Sequence, residues 1–181
     1  MELQRETLKT IANMEALPEG TRAELIDGVI YDMSAPSSAH QRLVSFLHGT
    51  IWSYINSNGG RCEVFPAPYD VQLDEDDYTL VQPDISVICD RGKIRKNRCA
   101  GAPDWVIEVV SPSTGVRDYL IKLGKYQNAG VREYWIVDPM GERILVYDFN
   151  SESPLSYYTL KEKVRSNIYP DLEIDFSVLE L

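Results

Sequence analysis

The sequence predicts a single α/β domain of the α+β kind, a mixed β-sheet flanked by helices, and three observations carry that prediction. The chain has 181 residues, 44% of them hydrophobic, enough to fill one core without disulfides or structural metal. Strand-like runs rich in β-branched residues alternate with stretches of helical spacing. No repeat, low-complexity tract or Pro/Ser-rich linker divides the chain, so 1–181 reads as one unit with its core at about 20–150.

From the N-terminus, LQRETLKTIANM has the pattern of a short amphipathic helix, ended before Pro18 and Gly20. ELIDGVIYDM reads as a hairpin turning at Asp27-Gly28, a pair that tolerates positive backbone φ. Between Pro36 and Gly59, Leu43, Val44, Leu47, Ile51, Trp52 and Ile55 recur at helical spacing, which predicts a long helix packed on the core. Strand-like runs come next at CEVFPAPYDVQL, TLVQPDISVI and DWVIEVVS. STGVRDYLIKLGKYQNAG predicts a helix capped by Ser113 and Thr114 and ended at Gly130, with Val116, Leu120 and Leu123 as its buried stripe. REYWIVDP, RILVYDF and SYYTL add strands, and the tail IYPDLEIDFSVLEL is expected to close the edge of the domain. Trp52, Trp105 and Trp135 are assigned to the core.

Composition narrows the chemistry. No apolar run approaches the roughly 20 residues of a bilayer span, and the start MELQRETLKT lacks the basic and apolar regions of a secretory signal, so the expectation is a cytoplasmic protein with no membrane contact. Cys62, Cys89 and Cys99 are odd in number and not closely spaced, which reads as core or incidental thiols. With only His40 and His48, multi-histidine metal sites lack parts, and carboxylates must supply any metal chemistry. The net charge of −10 opposes polyanion binding. It is partly answered by RGKIRKNR, where Arg91, Lys93, Arg95, Lys96 and Arg98 form either a solvated loop or a nucleic-acid contact.

Two acids stand where strand patterns should be apolar. Glu108 in DWVIEVVS shares its strand face with Val106 and Val110, and a carboxylate there loses solvation worth several kcal/mol unless it is paired, protonated or metal-bound. Asp84 in VQPDISVI poses the same problem more mildly. If the two strands are neighbours, mutual repulsion of the carboxylates favours a shared divalent cation, and Mg²⁺ fits because it takes few carboxylates and keeps sites for water and phosphate oxygens. The next helix puts Asp118, Lys122 and Tyr126 four apart on one face. That spacing suits either a surface Asp118–Lys122 ion pair or a lysine that orients water and offsets phosphate charge.

The ordered series ELIDG, QPDISV, PDWVIEVVSPST, D-xxx-K-xxx-Y and GVREYWIVDP resembles the Uma-two family of restriction endonucleases, a branch of the PD-(D/E)XK nuclease superfamily, from Glu24 to about Tyr147. The resemblance implies a restriction-endonuclease-like fold, with metal held by Asp84, Glu108 and the main-chain carbonyl of Val109. It also implies that Lys122 is the catalytic lysine. Val110 stands where E-x-K would put a lysine, so the ammonium is expected from the helix, with Lys125 as the competing donor. Glu24 resembles the upstream acid that joins the metal site in this superfamily, or is a solvent-facing strand residue. His40 matches a histidine before the long helix, or is a structural or polar contact, and Tyr126 braces the site, contacts phosphate or packs.

The function so implied is Mg²⁺- or Mn²⁺-dependent hydrolysis of DNA phosphodiesters by a homodimer. The alternatives are a catalytically inactive nucleic-acid-binding protein, and a homodimeric scaffold paired through a sheet edge. Nothing in the sequence separates DNA from RNA, or one metal ion from two.

Overall fold

A computed structural model describes residues 7–112 and 115–180. The first helix is shorter than its pattern. Lys9 N–H donates to the Gly28 carbonyl and Ile11 N–H to that of Asp77, each at 2.8 Å, so these groups serve neighbouring loops rather than a helical ladder. Only Ile11–Glu15 forms α1. The start of the expected helix lies in residues 1–6, outside the described residues. The hairpin stands as read: β1 (Ala23–Ile26) pairs antiparallel with β2 (Val29–Asp32), and Asp27 and Gly28 take φ of 50° and 76°. Positive φ at both turn residues matches the right-handed twist of the two strands.

The long helix α2 runs Ser38–Ser57, and Ser37 caps it by accepting from His40 N–H at 3.2 Å. Its inner row is His40, Leu43, Val44, Leu47, Ile51 and Ile55. Trp52 does not join the core and is 54% exposed. One residue on from Ile51 it lies about 100° around the helix, beyond a stripe that is already complete.

Next come β3 (Glu63–Pro66), β4 (Asp70–Gln72), β5 (Ile85–Ile88), β6 (Arg98–Ala100) and β7 (Trp105–Val109). A π-helical segment, Arg117–Lys122, leads into α3 (Leu123–Ala129). Strands β8 (Glu133–Asp138), β9 (Arg143–Asp148), β10 (Leu155–Thr159), β11 (Lys163–Arg165) and β12 (Glu173–Asp175) complete the order. The main sheet is mixed, with order β10-β9-β8-β7-β5-β3. Within it β7 and β8 are parallel, and the π-helical segment and α3 form the crossover between them. The run CEVFPAPYDVQL is divided: β3 joins the main sheet, whereas β4 pairs with β6 in a small sheet of its own.

Apolar residues cover both sheet faces. Leu43, Leu47 and Ile51 of α2 pack over Ile85, Val87, Trp105, Ile107 and Trp135. On the opposite face Val106, Tyr134 and Ile136 pack against Ile26, Val71, Val81 and Tyr126. The tail does not close an edge of the main sheet, whose edges are β3 and β10. Strands β11 and β12 instead pair with each other and bring Val164, Leu172, Ile174 and Phe176 to the α2 side, carrying the core beyond residue 150.

Two expectations are corrected by tertiary context. The antiparallel register that pairs Glu63 with Ile88 sets Cys62 opposite Cys89, and these form a disulfide across 27 residues of sequence. Only Cys99 is a free buried thiol. The helix before α3 also inverts its predicted face: Val116 and Leu120 are 75% and 69% exposed, while Arg117, Asp118, Lys122 and Tyr126 are buried. Leu123 is only partly buried against the second core cluster. Lys122 and Tyr126 have partners on β1 and β7, and the wider i to i+5 winding alters the angular spacing of the face. The expected Ser113 and Thr114 caps lie outside the described residues.

Candidate active site

The site forms where β5 begins and β7 ends. Ile85 pairs with Ile107, so continuing this register carries Asp84 opposite Glu108. Strand β1 contributes Glu24, α2 contributes His40, and the π-helical segment contributes Arg117, Asp118 and Lys122. All of these residues, with Val109, line one cavity of about 290 Å³. Of the residues predicted for the site, Tyr126 stands just behind it and donates its hydroxyl to Glu108 Oε1 at 2.6 Å.

Lys122 is the centre of the charge network. Its Nζ lies 2.7 Å from Glu24 Oε1, 2.8 Å from Glu108 Oε1 and 3.6 Å from Asp118 Oδ1. Lys125 turns elsewhere, pairing with Asp27 on the hairpin turn and lying 3.8 Å from Asp74. Asp84 Oδ2 meets His40 Nε2 at 3.2 Å and accepts from Val109 N–H at 2.8 Å. The Asp118–Lys122 spacing therefore belongs to a buried network rather than a surface pair.

Burial is the largest influence on Glu108 and raises its pKa to about 8; Lys122 opposes the rise, and the charges of Asp118, Asp84 and Glu24 add to it. Burial alone would lower Lys122, but the carboxylates of Glu108, Glu24 and Asp118 together hold it above its ordinary value. Desolvation and the adjacent Glu108 charge keep the Tyr126 phenol protonated well above the usual range.

The lone pairs left over define what the cavity can hold. Glu108 accepts both of its hydrogen bonds on Oε1. Asp84 takes His40 and Val109 on Oδ2. Glu24 uses Oε1 for Lys122 and Gln82 N–H, and its buried Oε2 has no hydrogen-bond partner. Among the described residues, each of these three carboxylates keeps one oxygen without a hydrogen bond; those of Asp84 and Glu108 suit a hard cation, whereas that of Glu24 is shut off from solvent 3.6 Å from Arg117 Nε. Also among the described residues, no group of three or more His, Cys, Asp or Glu side chains is arranged to hold a metal ion.

The basic loop is not brought to this cavity. It lies beyond the far end of β5, and Asp104, which starts the return along β7, binds Val87 rather than the Asp84 end. Arg91 pairs with Glu63, Lys93 Nζ donates to the Ala102 carbonyl and Arg98 pairs with Glu15. Arg95 and Lys96 are exposed. Arg117 was not anticipated: the apolar stripe assigned to Val116 and Leu120 turned it outward, and its one sequence signal is its place beside Asp118.

Among the described residues, no helix is long and apolar enough to cross a membrane. The chain is 30% identical over 131 residues to an uncharacterised protein, slr1290, of Synechocystis sp., covering 71% of this chain and 67% of that protein. Its fold is similar to a crystal structure described as a putative nuclease belonging to DUF820 from Anabaena variabilis. The TM-score is 0.72 at 22% identity, covering 92% of this chain and 94% of the other. Residues 9–177 match the model of Uma2, described as "Putative restriction endonuclease", and the chain belongs to that family.

Proposed function

We propose that the protein is a metal-dependent endonuclease that hydrolyses DNA phosphodiester bonds in the cavity between Asp84 and Glu108. Membership in a family described as restriction endonucleases supports the reaction class. The observation that carries the chemistry is a buried ammonium 2.8 Å from Glu108, in a cavity where, among the described residues, Asp84 and Glu108 each retain an oxygen without a hydrogen bond.

Asp84 and Glu108 would hold Mg²⁺ or Mn²⁺, with the Val109 carbonyl and Glu24 as further donors. When bound, such an ion supplies Lewis acidity for the phosphate and a more acidic water. The protein's own groups do the positioning. His40 and the Val109 N–H hold Asp84 Oδ2, leaving Oδ1 for the site. Tyr126 and Lys122 fix Glu108 through Oε1. Lys122, held protonated by three carboxylates, donates to the attacking water and offsets charge developing on the phosphate. Asp118 restrains the ammonium from one helical turn away.

The substrate is DNA in this proposal, and the family description supports it more directly than the net charge of −10 does. Homodimer formation through an exposed sheet edge is the accompanying assembly, tested by light scattering. The decisive experiment incubates purified protein with supercoiled and single-stranded DNA plus Mg²⁺ or Mn²⁺. Nicking is expected from the wild type and not from Glu108→Ala or Lys122→Ala. Equal cleavage by both variants would remove these residues from the chemistry, and no cleavage by the wild type would remove the nuclease function.

A further inference from the structure

Arg117 is a buried cation that the network around Lys122 leaves unused. It is 8% exposed, lines the cavity, and its guanidinium carbon stands 5.3 Å from the centre of the Tyr31 ring. Its nearest carboxylate oxygen is Glu24 Oε2, 3.6 Å from Nε, too long for a hydrogen bond. Both atoms are shut off from solvent and have no hydrogen-bond partner. A guanidinium has five N–H donors, and none of those on Arg117 has an acceptor among the described residues.

An arginine serving only to neutralise Glu24 would close that gap, because a forked carboxylate contact returns much of the desolvation cost. Here the fork stays open while the ring of Tyr31 restrains its plane. Nε is the guanidinium nitrogen that is shut off, which leaves the paired Nη groups as the donors of Arg117 not shut off where it lines the cavity. Ser37, at the start of α2, lines the same cavity, so the positive end of a 20-residue helix adds to the field there. Planar paired donors, low exposure and a helix N-terminus together match the non-bridging oxygens of a phosphodiester.

We propose that Arg117 binds a non-bridging phosphate oxygen of the DNA strand in the cavity, as a second phosphate-directed cation beside Lys122. This deepens the endonuclease function proposed for the same cavity and rests on it. It also places a phosphate contact of an acidic protein inside the cavity, apart from the basic loop at the far end of β5.

The test compares wild type, Arg117→Met and Arg117→Lys, all checked for folding by circular dichroism. Binding to a short labelled duplex is measured in chelator over a range of salt, once with normal DNA and once with a methylphosphonate at the cleaved position. The wild type is expected to bind the methylphosphonate about tenfold more weakly, the low end for a lost charge-assisted hydrogen bond. Arg117→Met should discriminate less than the wild type, because only Lys122 still faces the phosphate, and its logarithmic salt slope should be less steep by about 0.9. Arg117→Lys keeps a cation beside Glu24, so it folds even if the Met variant does not; it is expected to lose about tenfold in kcat/KM with Mg²⁺ because the fork is gone. Wild-type discrimination retained in Arg117→Met, or wild-type kcat/KM in Arg117→Lys, overturns the proposal. A wild type that binds and discriminates but never cuts overturns the nuclease function while leaving Arg117 as a phosphate ligand.

Discussion

Lys122 Nζ and Glu108 Oε1 stand 2.8 Å apart, although one is on a helix and the other on the strand before it, and both are buried. Removing the ammonium leaves Glu108 and Glu24 facing each other without their shared cation. Lys122→Met is expected to lower cleavage by about 10²- to 10³-fold, the usual cost of removing one preorganised donor to developing charge. It should also destabilise the fold by about 3 kcal/mol, at the low end for a broken buried ion pair because Glu108 is able to take up a proton. Chemical denaturation and single-turnover cleavage check the two effects separately.

The raised pKa of Glu108 sets a sign for pH dependence. With divalent ions chelated, the folded protein holds a proton up to about 8 that the unfolded chain releases near 4.5. Its stabilising contribution is therefore complete below about 4.5 and is lost as pH rises towards 8. The Tm in chelator should fall across that window, and Glu108→Gln should remove most of the slope. Parallel Tm profiles for the two proteins would contradict it.

Divalent ions should reverse that loss. At a hundredfold excess over Kd, Mg²⁺ or Mn²⁺ adds about 2.7 kcal/mol if it binds only the native state. Asp84→Ala and Glu108→Ala are expected to lose the shift. Lys125→Met, whose ammonium pairs with Asp27 outside the cavity, is expected to keep it. Calorimetric scans with and without metal decide the matter.

In the basic loop, Arg91, Lys93 and Arg98 already have partners within the protein, whereas Arg95 and Lys96 are exposed. The double variant Arg95→Ala/Lys96→Ala is expected to make the salt slope of duplex binding shallower by about 1.8 while leaving kcat unchanged. A large fall in kcat would mean that the loop reaches the reacting phosphate.

The disulfide Cys62–Cys89 closes a 27-residue separation, and joining such a loop is worth about 3.5 kcal/mol through the unfolded chain. Cys62→Ala/Cys89→Ala is expected to unfold at lower denaturant by that amount, measured against the oxidised wild type. Structural disulfides are rare in a reducing cytosol. The thiol state of freshly lysed protein, trapped by alkylation, therefore also tests the cytoplasmic expectation.

Much of this architecture was legible because local pattern and tertiary need agreed. The Asp27-Gly28 turn, α2 with its apolar row, and the strand carrying Glu108 each arise from spacing and backbone preference. Asp84 and Glu108 were legible for the opposite reason: acids stood where the strand pattern called for apolar residues. Lys122 was legible from its spacing with Asp118 and Tyr126 and from the family resemblance, and all three line one cavity. The features that escaped depended on register between distant segments. Cys62 meets Cys89 only through the β3–β5 pairing, and Trp52 is displaced by a row already filled. Arg117 escaped because apolar residues were taken as the buried side of a helix whose interior partners are carboxylates.

The π-helical winding of Arg117–Lys122 makes the spacing of that segment indispensable. A π turn carries about one residue more than an α turn, so loss of a single residue there would let the segment close to α geometry with α3 near its present orientation, at the cost of one of the side chains it gathers. The wide winding is what lets Arg117, Asp118 and Lys122 all be buried over so short a stretch, so its outward side chains are exchanged more freely than its length is changed.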